Sequence, residues 1–265
     1  DRSVSRGLGD VYKRQGQGCV NDEMTNYYVE FMKKHIFAYL NPPITSKVLP
    51  MYWYLGYNVY SKSVLEVGGV ILASWIVPIH ENYDGLDYWC TCMFGEDNPS
   101  DPYLIPTDRA LLDRRRKMIL APVLEKAVKA GNIIIPEEFE VGFDHVTNLI
   151  AGLGMEDDPN YYLTRGYPGS VNTYVFNSIS EPANNSYPPT NEETFIGYMH
   201  LSMYYNQARL AEVYPADKYP FLTEKFAFVQ KYLKDKYQID LEAIANGPED
   251  WNLPLPPIPE TPDEE

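Results

Sequence analysis

Apolar residues follow a helical spacing near the start of the chain and a strand-like pattern after it. In residues 26–40 they recur three and four positions apart, which predicts an amphipathic helix that ends before Pro42 and Pro43. Three later segments are rich in β-branched and aromatic residues, as strands are. These predicted strands are 51–59, 64–77 and 86–94. We expect them to form a small antiparallel sheet.

The pattern becomes helical again from about residue 106. Thr107 or Asp108 is a suitable N-cap for a long helix that continues to about Ala130 and stops at Gly131. Pro122 lies inside this helix. Because proline lacks a backbone N–H, we expect it to kink or split the helix.

A second long helix is predicted after a long loop. Residues 155–189 are rich in Pro, Asn, Gly and Ser and show little periodicity, which indicates a loop. Thr190 and Glu193 have the spacing of a capping box, so we expect a helix from there to about Tyr214. Shorter predicted elements are an extended segment at 132–139, a helix at 144–152 and a last helix at 223–237. An early sheet followed by packed helices predicts an α+β fold.

Three regions of different composition are expected along the chain. Residues 1–15 (DRSVSRGLGDVYKRQ) resemble the in-frame translation of a transposon-end sequencing adapter, so we interpret them as foreign and the native N-terminus as missing. Residues 16–246 are predicted to form a single α+β domain. Residues 247–265 are predicted to be a Pro-rich acidic tail without regular structure.

The net charge excludes several classes of partner. The chain has 22 basic and 37 acidic residues, a net charge of −15. Without residues 1–15 the balance is 18 basic against 35 acidic residues, a net charge of −17. This charge argues against nucleic acid and against anionic lipid, since both are bound through Lys and Arg. The longest apolar stretch, 64–79, is interrupted by Glu66 and Pro78 and is too short to predict a transmembrane segment.

Two groups of residues are candidate metal ligands. His80 and Glu81 begin an HExxD sequence that ends at Asp84, but the zinc motif of this spacing needs a helix, whereas here strands flank the segment. We therefore interpret it as a turn at the end of a strand. The other candidates, whose side chains are chemically able to form a His/Glu cluster, are His145, His200, Glu192 and Glu193. The alternative interpretation is that the two glutamates interact with the helix dipole and that His200 simply packs in its helix.

The one basic cluster predicts no binding patch. Residues 114–117 are Arg-Arg-Arg-Lys, and on a helix consecutive residues point in different directions around the axis. We expect these four side chains to be solvated and paired with the acidic residues of the chain.

Several segments together resemble one family, the zinc-binding metallopeptidase lipoproteins of Bacteroidetes, which are encoded beside outer-membrane glycan-import systems. In order and spacing they cover most of the chain after Gly16. The segments are FMKKHIFAYL (31–40) with KVLP (47–50), IPEEF (135–139), PTNEETF (189–195), and EKFAFVQKYL (224–233) with IDL (239–241). The resemblance implies a zincin-like fold and a location on the outer membrane or in the periplasm.

The chain departs from this family at the zinc helix. The family carries HExxH just before the Pro-x-x-Phe step, but here residues 118–129 read MILAPVLEKAVK and contain no histidine. One carboxylate, Glu125, does not replace two imidazoles, and Pro122 would distort the ligand-bearing turn. Glu192 and Glu193 fall near the family's acidic third-ligand region. The resemblance therefore implies a member without its catalytic metal.

Three functional hypotheses follow. The first is a catalytically inactive, metallopeptidase-like surface or periplasmic lipoprotein without a cofactor, which is an accessory or binding component of a nutrient uptake system. Its partners would be a glycan or peptide ligand or outer-membrane import proteins. The second is an active zinc-dependent metallohydrolase with relocated ligands drawn from His80, His145, His200, Glu192 and Glu193. The third is an unrelated soluble interaction domain, which would be favoured if helices 108–130 and 191–214 did not face each other.

Overall fold

Helices and a small sheet make up the chain, which has an α+β fold as predicted. The structure, a computed structural model, describes residues 13–18, 22–67, 70–78, 83–84, 88–92 and 109–253. Contacts divide the chain into a sheet unit (Asp1–Tyr28, Tyr52–Thr107 and Leu255–Glu265) and a helical unit (Val29–Met51 and Asp108–Pro254). A single domain over 16–246 stays a prediction.

The sheet unit is organised around one long strand. Its strands are β1 (Lys13–Gly18), β2 (Tyr52–Val67), β3 (Val70–Pro78), β4 (Tyr83–Asp84) and β5 (Tyr88–Cys92). β1 and β3 pair antiparallel to β2, and β4 pairs antiparallel to β5. β1 includes three residues of the segment that we interpret as foreign, Lys13, Arg14 and Gln15.

The prediction of a purely antiparallel sheet is wrong, because β5 pairs parallel to β2. The pairings show the cause. β4 runs in the same direction as β3, and the chain reverses only between β4 and β5. β5 therefore runs in the same direction as β2. It lies beside the start of β2, at 52–56, while β3 pairs with the later part of β2.

One face of the sheet carries the core of this unit. Tyr28, in the helix α1 (Asp22–Phe31), is fully buried and donates its hydroxyl hydrogen bond to the backbone carbonyl of Gly56. The indole Nε1 of Trp53 donates to Thr91 Oγ1 at 2.7 Å, and the rings of Trp53 and Trp89 meet edge to face at 5.2 Å. A helix and two strands are thereby joined by aromatic side chains with satisfied polar atoms.

The helical unit contains most of the helices. After α1 the chain forms a π-helical turn (Met32–Ile36) and a 3₁₀ turn (Phe37–Tyr39), so the predicted helix at 26–40 is confirmed with an earlier start. The remaining elements are α2 (Pro42–Thr45), α3 (Arg109–Lys129), α4 (Glu137–Glu140), β6 (Ser170–Val171), β7 (Ile179–Ser180), α5 (Asn191–Tyr204), α6 (Gln207–Val213), α7 (Pro220–Tyr237) and α8 (Leu241–Asn246). No described helix is long and apolar enough to cross a membrane.

A capping box explains where α5 begins, and a glycine follows the end of α3. The predicted N-caps of α3, Thr107 and Asp108, lie outside the described residues. The capping box at the start of α5 is confirmed, since Thr190 accepts from the Glu193 N–H and Glu193 accepts from the Thr190 N–H. Gly131 follows α3 with φ +76°, a conformation that glycine adopts without strain. Pro122 does not split α3, which continues through it. Its neighbours Ala121 and Val123 are fully buried, and their packing offsets the one missing hydrogen bond.

Two predicted helices are wrong in extent or type. The helix expected to reach Tyr214 ends at Tyr204, because the side chain of Asn206 accepts from the Arg209 N–H and starts a new helix. Residues 144–152 form no helix. Asp144 Oδ1 instead accepts hydrogen bonds from the backbone N–H groups of Val146 and Thr147. Residues 149 and 150 pair in isolated β-bridges. Side-chain competition of this kind is typical of Asn and Asp.

Candidate functional site

Two long helices of the helical unit meet at a histidine and a glutamate. His200 is on α5 and Glu125 is on α3, and His200 Nε2 lies 3.8 Å from Glu125 Oε2. The two helices therefore face each other, as the resemblance requires. The resemblance itself stays a prediction.

His200 is a neutral imidazole at this contact. Its side chain is 11% exposed, and its Nε2 has no hydrogen-bond partner among the described residues. Burial lowers the pKa of His200 to about 4, the charge of Glu125 opposes this shift, and that of Lys129 adds to it. At neutral pH the contact is thus between an uncharged ring and a carboxylate, not an ion pair.

Lys129 already neutralises the carboxylate of Glu125. Its Nζ lies 2.6 Å from Glu125 Oε1, one helical turn away on α3. The hydrogen bond and charge of Glu125 raise the pKa of Lys129, and Glu192 and Glu193 add smaller contributions. The charges of the candidate ligands Glu192 and Glu193 therefore act on the same Lys129 ammonium group as Glu125 does. Glu193 also accepts hydrogen bonds from the N–H and hydroxyl of Thr190, at 2.8 and 2.9 Å, which lower its pKa.

His145 lies before α5 and has different neighbours. Its Nδ1 is 2.8 Å from the carbonyl oxygen of Pro189, so Nδ1 carries the proton and donates. The rings of Phe143 and Tyr167 pack around the imidazole, with centroids at 5.7 and 5.9 Å. His145 Nε2 is buried without a hydrogen-bond partner among the described residues.

The structure brings the predicted candidates together only in part. His200 meets Glu125, and the charges of Glu192 and Glu193 reach the same lysine. Within the described ranges there is no group of three or more His, Cys, Asp or Glu side chains that could hold a metal ion. His80 and Glu81, the start of the HExxD sequence, lie outside the described residues.

The residues at the α3–α5 contact do not fit zinc. A protein zinc site uses three or four nitrogen, sulfur or oxygen ligands. Here one orphaned imidazole nitrogen faces one carboxylate, and the other oxygen of that carboxylate is bound by the ammonium of Lys129. A cation that enters would meet this positive charge.

Part of α3 lies in the hydrophobic core, including the stretch where the resemblance would place a zinc motif. Six of the seven residues from 118 to 124 are buried, and Pro122 is half-buried. The buried ones are Met118, Ile119, Leu120, Ala121, Val123 and Leu124. These apolar side chains contribute packing and offer no metal ligand.

The prediction of a solvated basic cluster at 114–117 is wrong, because three of its four side chains are buried. Arg116 is fully buried: its Nε donates to the carbonyl of Ile244 at 2.9 Å, and its guanidinium pairs with Asp113. The ring of Trp251 lies 5.1 Å from the guanidinium carbon. The pattern of residues does not predict this burial, because α3 has packing partners on several sides and residues that point in different directions are all covered.

His35 completes this buried polar group. Its Nδ1 lies 3.4 Å from Arg116, whose guanidinium only donates, so Nε2 carries the imidazole proton. Its ring stacks on Phe31 at 4.6 Å and meets Trp251 edge to face at 5.1 Å. Burial and the charges of Arg116 and Lys34 lower the pKa of His35 to about 3. Trp251 belongs to the predicted tail, so at least this part of the tail packs against the helical unit.

A second buried cation, Lys225, was not predicted from the sequence. Lys225 on α7 is 3% exposed, and its Nζ donates to the carbonyls of Phe139 and Val141 at 2.8 Å each. Four phenylalanine rings surround the ammonium at 5.2 to 5.9 Å: Phe139, Phe143, Phe221 and Phe228. A signal was present in the sequence, because position 225 lies within the apolar stripe of α7 at 222, 226, 229 and 233.

We expect acid to destabilise the protein through His200. The pKa of its imidazole is about 4 in the folded protein and 6.5 as the ordinary value. The unfolded chain therefore binds the proton at a higher pH, so stability is lost as the pH falls from about 6.5 to about 4 and no further below that. Urea unfolding at pH 7.0, 5.5 and 4.5 measures the loss, which reaches up to about 3 kcal/mol for this residue.

The matched variant for this measurement is His200→Gln. It removes the titrating ring of His200. His35, whose pKa is also lowered and which also destabilises the folded protein in acid, remains. The variant should lose less stability between pH 7.0 and 4.5 than the natural sequence. Equal losses in the two proteins would contradict the assignment of the acid sensitivity to His200.

No protein-family model, curated protein or solved structure matches this chain. The resemblance to metallopeptidase lipoproteins thus rests on the sequence segments alone.

Proposed function

We propose that the chain is a catalytically inactive, metallopeptidase-like protein of the cell envelope that binds a ligand for a nutrient uptake system. One observation carries the proposal. Where the family that the chain resembles has its HExxH ligands, α3 has buried apolar residues, among them Ile119, Leu120 and Leu124. A fold can outlast its chemistry when such a site is filled by packing.

The α3–α5 contact supports the proposal. The family's late helix contributes an acidic ligand, and here the matching region of α5 opens with Glu192 and Glu193. Glu193 serves as a cap of the helix, since it accepts from the N–H of Thr190. The carboxylate that faces α5 from α3, Glu125, is bound by Lys129. Glu193 and Glu125 thus both have structural roles near the expected centre.

The zincin-like fold, the lipid anchor and the partners are part of the same proposal. They derive from the resemblance, which places such proteins on the outer membrane or in the periplasm beside import proteins. A glycan or a peptide is the ligand class, since the net charge of −15 argues against nucleic acid.

Metal content tests the absence of catalysis. The purified full chain, prepared without added zinc, is analysed by elemental mass spectrometry, and its melting temperature is measured with and without zinc. We expect far less than one zinc per chain, no stabilisation by zinc and no cleavage of casein. Zinc at near one equivalent, lost in His200→Ala and retained in the exposed control Glu212→Ala, would overturn the proposal.

That outcome would favour the second function, a zinc-dependent hydrolase with relocated ligands. The observation in its favour is the orphaned Nε2 of His200 at 3.8 Å from a Glu125 oxygen. The candidates His80 and His145 would then be replaced one at a time to find the remaining ligands.

A further inference from the structure

We propose that an exposed tyrosine face on β2 and β5 is the ligand site, and that it binds neutral glycans by stacking on sugar rings. The tyrosine face consists of Tyr52, Tyr54 and Tyr88. The inference rests on the proposed function, a ligand-binding component, and names the ligand class and the residues that bind it.

Strand register places the three tyrosines together. Tyr52 pairs with Tyr88 and Tyr54 pairs with Cys90 in the parallel ladder, and residues two apart on a strand share a face. The rings of Tyr54 and Tyr88 meet edge to face with centroids 5.5 Å apart. Two residues along a strand span about 6.6 Å, so Tyr52 and Tyr54 present successive rings along one line.

The exposure of these rings is not required by the fold. Tyr52 is 54% exposed and Tyr54 is 56% exposed, while Tyr88 is half-buried. The core of the sheet unit lies on the opposite face, where Trp53 and Trp89 pack against each other and Trp89 is buried. The tyrosine face therefore leaves large amphipathic rings in water, which is typical of a recognition surface.

The charge of the face favours a neutral ligand. The residues at its register positions on β2 and β5 contain no Asp, Glu, Lys or Arg, although the chain has a net charge of −15. They are Tyr52, Tyr54, Gly56, Tyr88, Cys90 and Cys92. An anionic polysaccharide would be repelled by the acidic chain and would find no cation among these six residues. A neutral sugar ring has an apolar C–H side for stacking and hydroxyls for the phenol oxygens.

A glycan fits this surface better than a peptide does. An extended peptide binds a sheet through backbone hydrogen bonds at a strand edge. Along 52–56 one edge of β2 is paired with β5, so the backbone between Tyr52, Tyr54 and Tyr88 belongs to a ladder and is not a strand edge. The tyrosine face itself offers aromatic rings and hydroxyls. The outer part of the β2–β3 hairpin exposes Leu65, Ile71 and Leu72, which have no hydroxyl to bind a sugar.

Native affinity electrophoresis of the full chain tests the proposal. The probes are soluble starch, mixed-linkage β-glucan, xylan and galactomannan in the gel, with polygalacturonate as the anionic probe. We expect retardation by at least one neutral polysaccharide and none by polygalacturonate. The double variant Tyr52→Ala/Tyr54→Ala should weaken binding about tenfold or more, since two stacking rings are lost. Tyr54→Phe, which keeps the ring, should stay within about threefold.

Tyr187→Ala is the matched control, because Tyr187 is equally large and 82% exposed but lies in the loop before α5. It should bind as the natural sequence does, and circular dichroism checks that all variants are folded. No retardation by any neutral polysaccharide, or equal retardation of the double variant, would overturn the proposal. Stoichiometric zinc would instead overturn the proposed function, so the two failures are distinguishable.

Discussion

Replacing Lys225 by alanine is expected to lower the free energy of unfolding by about 3 kcal/mol or more. The ammonium of Lys225 donates to the carbonyls of Phe139 and Val141, at the end of the short helix α4. Without it the buried carbonyl of Phe139 and the part-buried carbonyl of Val141 lose this donor. The stem of the lysine also leaves a cavity among four aromatic rings. Urea unfolding followed by circular dichroism measures the change.

Two variants separate the causes. Lys225→Met keeps most of the stem, so it should recover part of the loss. Lys231→Ala removes an exposed lysine from the same helix, where it pairs with Asp235, and should change the free energy of unfolding by less than about 0.5 kcal/mol. If Lys225→Met were as stable as the natural sequence, the ammonium would contribute nothing net, and the prediction would be wrong.

Replacing Arg116 by alanine is expected to cost about 3–5 kcal/mol. The guanidinium is fully buried, donates to the carbonyl of Ile244 and lies under the ring of Trp251. Its loss leaves that carbonyl and the ring of His35 without their contact. The measurement is again urea unfolding, with tryptophan fluorescence as a second probe, since Trp251 should become more exposed.

The control for Arg116 is Arg209→Ala. Arg209 is 61% exposed and pairs with Glu212 one turn away, so its removal should change the free energy of unfolding by less than about 0.5 kcal/mol. A double-mutant cycle with Trp251→Ala then measures the coupling between the Arg116 guanidinium and the indole ring, which we expect at about 0.5–3 kcal/mol. Strictly additive losses would show that Trp251 and Arg116 stabilise the protein independently.

Local signals in the sequence predicted much of the secondary structure. The capping box at Thr190 and the stop at Gly131 each depend on a few neighbouring residues, and each is confirmed. The predicted strand segments do lie in strands, but the break expected between 59 and 64 is wrong, since β2 runs on to Val67. The parallel pairing of β5 with β2 depends on where the chain reverses between distant segments, which no local pattern encodes. The same holds for Pro122, since burial of its neighbours decides whether the helix continues.

In the candidate sites, too, local features were predictable and contacts between distant segments were not. The chemistry of His200 and of the acidic pair Glu192 and Glu193 was evident from residue type, but their neighbours were not. That Lys129 binds Glu125 follows from an i, i+4 spacing and was predictable in principle. The burial of Arg116 was not, because it depends on a carbonyl at 244 and a ring at 251, far along the chain.

The position of Trp251 also determines when this part of the molecule is completed during translation. His35 and Arg116 are synthesised early, and the ring that covers both of them emerges from the ribosome only after residue 251 has been added. At a synthesis rate of about 5–20 residues per second, Trp251 is added on the order of ten seconds after Arg116. A nascent chain stalled before residue 251 should be cleaved by protease within the helical unit, and the released full chain should resist.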